Sequence, residues 1–156
     1  MRKLHILPLV VLTALLYMTS CEERFTYTYE EEDMAEFSSA ERTIELLKQP
    51  VKDSTAVIQV QLLGKQSDQD RTVGFQVVDD GTNAKEGVHY AIEQSNITIP
   101  ANSSFGELEV EVFHDGFMVE EKADLVIELT DADLKANPVL NTIDLTLYKK
   151  NFCPFA

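Results

Sequence analysis

The sequence holds few side chains suited to nucleophilic or metal chemistry. Its 156 residues include two cysteines, three histidines and no tryptophan. No serine or cysteine lies in a recognisable nucleophile elbow or triad, and Cys153, with only His89 and His114 beyond the N-terminal region, is typical of an inert thiol. Carboxylate pairs for glycoside hydrolysis are available among 27 acids, but no aromatic subsite accompanies them. We therefore expect neither enzymatic activity nor a resident cofactor.

The N-terminus is typical of a secretory signal. Two basic residues at positions 2 and 3 precede an apolar run over 5–17, about 13 residues long. A membrane-spanning helix needs roughly 20. Small residues at 19–20, directly before Cys21, resemble the lipobox of bacterial lipoproteins, in which the cysteine is acylated and becomes the new N-terminus. We predict a signal peptide over 1–20 and a membrane anchor through lipid on Cys21, with an uncleaved anchor or a plain secretory signal as the alternatives.

Acidic residues dominate the remaining chain. The sequence has 13 Lys and Arg against 27 Asp and Glu, a formal charge of −14. Loss of Arg2 and Lys3 with the signal would leave 11 bases against 27 acids, or −16. Such an excess predicts no nucleic-acid partner, because phosphate binding needs clustered basic residues. Residues 21–37 carry seven acids and one base, which predicts a solvated acidic tether.

The beginning of this tether also bears on localisation. The Cys-Glu-Glu start at 21–23 resembles the acidic export tag of surface lipoproteins from anaerobic Gram-negative gut bacteria. The resemblance implies a protein anchored in the outer membrane and facing the cell exterior. An acidic tether that faces the periplasm is the alternative.

The body of the chain alternates apolar and polar residues with a period of two, which indicates strands with one buried face. A further strand over 43–47 competes with a short helix that a capping box at 38–41 would open. No helical stretch between the strands is long enough for a parallel α/β fold. We predict an all-β, immunoglobulin-like antiparallel sandwich of about seven strands over 38–150, followed by a tail over 151–156. The six clear strands are 57–62, 73–78, 97–99, 107–112, 124–129 and 142–147.

One segment resembles a known family. Residues Val78 to Tyr90 resemble the strand-to-loop signature of Calx-beta domains, roughly Asp-Gly-Thr-Ala followed by Gly-x-Asp-Tyr. The segments 96–102, 105–115 and 120–129 resemble the strands and turns that follow in that family, so the resemblance covers about half of the chain. It implies the same immunoglobulin-like sandwich.

A second resemblance is closer. It connects the chain to uncharacterised lipoprotein domains of the same gut bacteria and is carried by the stretches 62–64, 70–73 and 84–90.

The Calx-beta resemblance also implies a metal site. Calx-beta domains of sodium–calcium exchangers bind Ca²⁺ through acidic loops at one end of the sandwich, where six to eight oxygens are needed. Two departures weaken that implication, because His89 and His114 stand where the signature has acids. We expect no tight calcium binding. The candidate ligands are Asp79, Asp80, Asp115, Glu120 and Glu121.

Three functions remain open on the sequence. The first is a lipid-anchored, non-catalytic interaction or adhesion module that binds an extracellular protein or matrix. The second is a glycan-binding accessory lipoprotein of a polysaccharide uptake system, against which the absence of Trp counts because sugar platforms use large aromatic rings. The third is a calcium-binding module of the Calx-beta type.

Overall fold

The computed structural model describes residues 32–47 and 53–150. This part of the chain contains ten strands, one 3-10 turn (His114–Gly116) and no α-helix. The strands form two five-stranded sheets: sheet I has the order β5-β7-β3-β1-β9 and sheet II the order β2-β10-β8-β4-β6. The strands are β1 (Met34–Phe37), β2 (Glu41–Leu47), β3 (Ser54–Leu63), β4 (Arg71–Val78), β5 (Tyr90–Ala91), β6 (Ile97–Ile99), β7 (Phe105–Val112), β8 (Lys122–Thr130), β9 (Lys135–Ala136) and β10 (Thr142–Lys150).

The core lies between the two sheets. In β7, Leu108, Val110 and Val112 are fully buried, whereas the glutamates between them are exposed. Leu125 and Ile127 of β8 contribute the same kind of buried face from sheet II. Because alternate side chains point to opposite faces of a strand, this pattern places one apolar layer inside and one polar layer outside. The predicted all-β, immunoglobulin-like sandwich is confirmed.

The predicted boundary of the acidic tether at residue 37 is wrong. Residues 34–37 form β1, which pairs with β3 in sheet I, and the side chains of Ala35 and Phe37 are completely buried. Between them Glu36 is also buried, and its carboxylate accepts hydrogen bonds from the side-chain amides of Gln61 and Asn137, the latter over 2.6 Å. The acids around this strand obscure its apolar alternation in the sequence, because the partners that allow Glu36 to be buried come from distant parts of the chain.

Two further acids fasten the entry to β1. Asp33 forms an ion pair with Arg71 over 2.7 Å and accepts a hydrogen bond from the backbone N–H of Lys65 over 3.0 Å. Glu32 pairs with Lys135 over 2.6 Å. The first described residues are therefore attached to the sandwich by three connections to later parts of the chain.

The chain changes sheets between β1 and β2. β1 runs antiparallel to β3 in sheet I, and β2 runs parallel to β10 in sheet II, so the strand alternative for residues 43–47 is correct and the helix alternative is wrong. On the β1 side, residues 54–58 of β3 have no strand partner, and the guanidinium of Arg42 donates to the carbonyl of Val57. This contact covers part of an otherwise open strand edge.

The sandwich has more strands than the seven predicted, and two of its pairs are parallel. The additional strands are β1, β5 and β9, of which β5 and β9 have two residues each. The pairs β1–β9 and β2–β10 are parallel, which corrects the expectation of a purely antiparallel sandwich. Two-residue strands have no period that a sequence pattern could reveal, and alternation carries no information on strand direction.

A glycine permits the crossing of β6 over β7. A Cβ atom on Gly106 would lie 2.7 Å from the backbone oxygen of Thr98, too close for any side chain. The backbones of the two strands therefore approach each other directly at the beginning of β7.

The two ends of the sandwich differ. We define the loop end by the segments 79–89 and 113–121 and the end of β10. β1 begins at the other end, beside Leu63 at the end of β3, whereas β10 ends at the loop end beside the beginning of β8. The described chain thus enters at one end of the sandwich and leaves at the other.

The Asp33 contacts predict a dependence of stability on acid. Burial raises the pKa of Asp33, but the Lys65 N–H and the Arg71 guanidinium outweigh it and lower the pKa below its ordinary value. The corresponding stabilisation is present above the unfolded-state pKa of about 3.9 and is lost as the pH falls through the lower, folded-state value. Urea denaturation between pH 6 and pH 2 should show that Asp33→Asn loses less stability than the wild type, by under about 1 kcal/mol.

Asp68→Asn is the matched control, because Asp68 is an exposed acid of the neighbouring loop. It should follow the wild type over the whole pH range. If the free energy of unfolding depends on pH in the same way for Asp33→Asn and the wild type, the contacts of Asp33 with Arg71 and Lys65 contribute nothing to stability.

Candidate functional site

The predicted lipidation site, Cys21, lies outside the described residues. The predicted calcium ligands lie inside them, and all five are at the loop end of the sandwich. Among residues 32–47 and 53–150, no group of three or more His, Cys, Asp or Glu side chains is placed to hold a metal ion. The structure therefore brings Asp79, Asp80, Asp115, Glu120 and Glu121 to the same end without assembling them into a coordination site.

Two of these carboxylates accept hydrogen bonds from neighbouring groups, and a third is mostly exposed. Glu120 accepts a hydrogen bond from the hydroxyl of Tyr148, which raises the pKa of that phenol. Glu121 accepts a hydrogen bond of 2.6 Å from the backbone N–H of Met118 and so closes the turn that precedes β8. The side chain of Asp115 is 91% exposed. Glu120 and Glu121 are thus engaged in hydrogen bonds at the loop end, and Asp115 faces solvent.

The loop end is instead built around a buried lysine. Lys149 faces the interior at the end of β10, and its ammonium donates to the backbone carbonyls of His114 (3.0 Å) and Phe117 (2.7 Å). Its own backbone pairs with Glu120 and Glu121 of the same loop. A buried charge is tolerated only when hydrogen bonds replace its hydration. Lys149 therefore holds the loop between β7 and β8 in one conformation.

Two histidines complete this buried layer. The ring of His89 stacks at 4.7 Å on Phe117 and accepts a hydrogen bond from the backbone N–H of Lys85. His114 is 4% exposed, and its Nε2 atom has no hydrogen-bond partner among the described residues. A Cβ on Gly116 would lie 1.8 Å from the carbonyl oxygen of Val88, so at this point the two loops touch backbone to backbone. The two departures from the calcium signature thus serve as packing residues.

The loop end also exposes three apolar side chains. Met118 is 76% exposed, Val88 47% and Val119 46%. They protrude from the two loops that the buried layer joins.

A different surface offers the better shape for a ligand. The outer face of sheet I carries the polar residues of β3 and β7 in register, with Gln61 opposite Phe105, Gln59 opposite Glu107 and Val57 opposite Glu109. The ring of Phe105 is 47% exposed at one end of this face. An exposed ring beside amides and carboxylates can stack on an apolar ligand face while hydrogen bonds fix its orientation.

Gln94 shapes the edge of this face. β5 pairs only with the last two residues of β7, at Glu111 and Val112. At the preceding residues of the same edge, the side-chain amide of Gln94 binds the backbone of β7 in place of a strand. Its nitrogen donates to the carbonyl of Glu107 over 3.1 Å, and its oxygen accepts from the N–H of Glu109 over 2.6 Å. The edge of β7 is thereby closed to another strand.

Two adjoining depressions lie on either side of Gln94. One has a volume of about 370 Å³ and is lined by residues that include Thr55, Glu93 and Glu111. The other, of about 560 Å³, is lined by residues that include Gln59, Phe105 and Glu107. Both are bordered by Gln94 and Glu109, so they form one continuous surface, which we call the sheet I shelf.

The outer face of sheet II has a smaller groove of about 330 Å³. Its lining includes Thr43, Asp124, Asp144 and Thr146. Asp124 already accepts a hydrogen bond from the Thr146 hydroxyl over 3.0 Å. No aromatic ring of the described residues lines this groove, which makes the sheet I shelf the stronger candidate.

The sequence indicates only part of the shelf. The alternation of β7 predicts that its glutamates point outward. The sequence gives no signal for the role of Gln94, because its side chain contacts residues of β7 that follow it by 13 and 15 positions. Phe105 is exposed because it lies at the outer-facing first position of β7. Neither residue was recognised as a candidate from the sequence.

The fold and these surfaces define the class: an all-β, immunoglobulin-like sandwich with polar outer faces. Residues 19–152 match the family model described as "Domain of unknown function (DUF4843)", and the chain belongs to this family. No curated protein sequence matches the chain. The Calx-beta resemblance stays a prediction.

Three solved structures, all from Bacteroides ovatus, are similar in fold. The first, from strain ATCC 8483, is a protein with a proposed role in carbohydrate binding; it has a TM-score of 0.60 and 11% identity over 76% of this chain and 37% of its own. The second and third are proteins of unknown function. Their TM-scores are 0.56 and 0.52, with 18% and 16% identity over 73% and 78% of this chain.

The chain spans less than half of each of these proteins, because the second and third are covered over 44% and 47% of their length. At these identities the similarity shows the fold alone. No helix within the described ranges is long and apolar enough to cross a membrane.

The buried lysine yields a testable prediction. Lys149→Met should lower the free energy of unfolding by roughly 1–3 kcal/mol, because the buried carbonyls of His114 and Phe117 lose the ammonium donor and His114 keeps only a 3.4 Å hydrogen bond from the backbone N–H of Phe117. Amide exchange should accelerate over 113–121 in this variant.

The adjacent Lys150→Met serves as the control. Lys150 is about half exposed and lies 3.4 Å from Glu45, so its replacement should change stability by no more than about 0.5 kcal/mol. Equal effects of the two substitutions in urea denaturation would contradict the role assigned to Lys149.

Proposed function

We propose that this protein is a non-catalytic, glycan-binding module of a lipid-anchored surface protein. The observation that carries the proposal is the sheet I shelf, in which the exposed ring of Phe105 adjoins a row of amide and carboxylate groups. The carbohydrate-binding role proposed for one structurally similar protein of Bacteroides ovatus supports the same class of ligand.

The shelf suits an extended sugar chain better than a compact small molecule. From Phe105 to Glu111, β7 spans about 20 Å, at roughly 3.4 Å per residue. Sugar hydroxyls donate to the outward-facing carboxylates, and such charge-assisted hydrogen bonds are stronger than neutral ones. Gln59 accepts from the Ser38 hydroxyl over 3.3 Å, which leaves its amide nitrogen as a donor toward the ligand. The Phe105 ring stacks on the apolar face of a sugar ring.

The anchor belongs to the same proposal. The motif before Cys21 supports acylation of that residue, and two or more acyl chains give stable membrane attachment. Met34 lies at the end opposite the loop end. A tether that arrives from the membrane through Met34 therefore presents the loop end outward and leaves the shelf accessible from the side. The acidic start of the mature chain supports a position on the outer membrane, facing the exterior, and its charge argues against nucleic acid as a partner.

A second candidate function is adhesion to a protein, which was the first of the three sequence hypotheses. The exposed residues Val88, Met118 and Val119 favour it, because all three lie at the loop end. Lys149 fixes the loop that carries Met118 and Val119, and the contact of His89 with Phe117 joins it to the loop that carries Val88. On this candidate the ligand contacts the loop end rather than the shelf.

Replacement of the exposed ring tests the glycan function. Polysaccharides that the full chain retains in affinity electrophoresis should bind Phe105→Ala at least about tenfold more weakly, a loss of about 1.4 kcal/mol. Val88→Ala should bind as the wild type does, because Val88 is equally exposed but lies at the loop end. Retention of no polysaccharide, or equal binding by Phe105→Ala, would contradict the proposed function.

The anchor has its own test. The wild type should fractionate with membranes and incorporate labelled palmitate, whereas Cys21→Ala should do neither. Cys153→Ala is the control and should be labelled like the wild type. Absence of label from the wild type would refute the lipoprotein assignment.

A further inference from the structure

The sheet I shelf has an unbalanced charge. Four glutamates line it: Glu93, Glu107, Glu109 and Glu111. No Lys or Arg of the described residues lines either depression, and none of the four carboxylates forms an ion pair with a described cation. The outer faces of other strands differ, since Glu45 of β2 lies 3.4 Å from Lys150.

The spacing of these charges follows from the strand. Glu107, Glu109 and Glu111 occupy every second position of β7, so they are about 7 Å apart in a row. At this distance an anionic group placed above the row interacts with more than one carboxylate within the Debye length of about 10 Å at 0.1 M salt. The net negative charge of the whole chain adds to this repulsion.

We infer that the glycan bound by the shelf is an uncharged polysaccharide and that the row of glutamates excludes polysaccharides with uronic acid, sulfate or phosphate groups. This inference rests on the proposed glycan-binding function and specifies its ligand class. Specificity arises here from repulsion of the wrong ligand as much as from attraction of the right one. Neutral sugar hydroxyls still donate to the same carboxylates, so the groups that exclude anionic chains also bind neutral ones.

The side chain of Gln94 is fixed beside the glutamate row. Both polar atoms of its side chain are bound to the backbone of β7 on either side of Leu108, at Glu107 and Glu109. The amide therefore cannot turn outward to shield these two glutamates from the ligand. The row is held on one edge by the backbone pairing of β7 with β3 and on the other, at Glu107 and Glu109, by the side chain of Gln94.

The experiment compares one polysaccharide backbone with and without charge. The full chain, purified from membranes in detergent, is titrated with polygalacturonate and with the same polymer after complete methyl esterification, alongside a neutral β-glucan, mannan and galactan. Binding is measured by biolayer interferometry at 20 mM and 300 mM NaCl. We expect at least one neutral polymer to bind and polygalacturonate to bind at least tenfold more weakly than its ester at low salt. The difference should shrink at high salt because salt screens the repulsion.

Variants assign the effect to the shelf. In the double variant Glu107→Gln/Glu109→Gln, the difference in affinity between polygalacturonate and its methyl ester should shrink at least threefold, since two of the four charges are removed. Asp144→Asn, in the groove of sheet II, should leave it unchanged. Phe105→Ala should weaken binding of the neutral polymer in either salt.

The possible failures are distinguishable. If polygalacturonate binds as tightly as its ester or more tightly, and Phe105→Ala abolishes that binding, the charge inference is wrong and the glycan function stands. If no polymer of either class binds, the proposed function is wrong and this inference falls with it. If a neutral polymer binds but Glu107→Gln/Glu109→Gln keeps the full difference in affinity between polygalacturonate and its ester, the glutamate row does not cause that difference and the charge inference is wrong.

Discussion

The alternation along β7 is the constraint from which the rest of the structure follows. Leu108, Val110 and Val112 are completely buried between the sheets, so the three glutamates that alternate with them must face outward. A shift of one residue in the pairing with β3 would turn every one of these side chains to the other face. The register that fills the core and the charge of the shelf are thus set by one and the same pairing.

Around this pairing, the sandwich closes differently at its two ends. At the end where β1 begins, acids that precede the strand pair with Arg71 and Lys135, which attaches the start of the fold to later strands. At the loop end, the ammonium of Lys149 attaches the β7–β8 loop to β10 by donating to two carbonyls of that loop. None of these residues lines the sheet I shelf.

The sequence predicts the parts of this fold that have a period. All six strands expected from alternation are present, and the ambiguous seventh is β2. β1 is missed because its neighbouring acids indicate solvation, whereas hydrogen bonds from Gln61 and Asn137 allow Glu36 to be buried. The parallel pairing of β2 with β10 depends on the sheet change at residues 38–40, which no local pattern encodes.

The candidate site was less predictable than the fold. Acids at the loop end suggested calcium, but a carboxylate that caps a turn, as Glu121 does for Met118, has the same sequence appearance as a ligand. The shelf depends on Gln94 reaching the edge of β7, a contact made only after the chain has folded. Turn closure and edge protection are tertiary events, so residue type and spacing alone do not specify them.

We propose that ligand binds on the outer face of sheet I. The most direct test of this proposal is an amide chemical-shift titration of the isotope-labelled full chain with the tightest-binding neutral oligosaccharide. Changes should be confined to residues 55–59, Gln94 and 105–111, with none at Val88, Met118 or Val119. Changes concentrated at these three loop-end residues, or on the outer face of sheet II, would contradict the proposal.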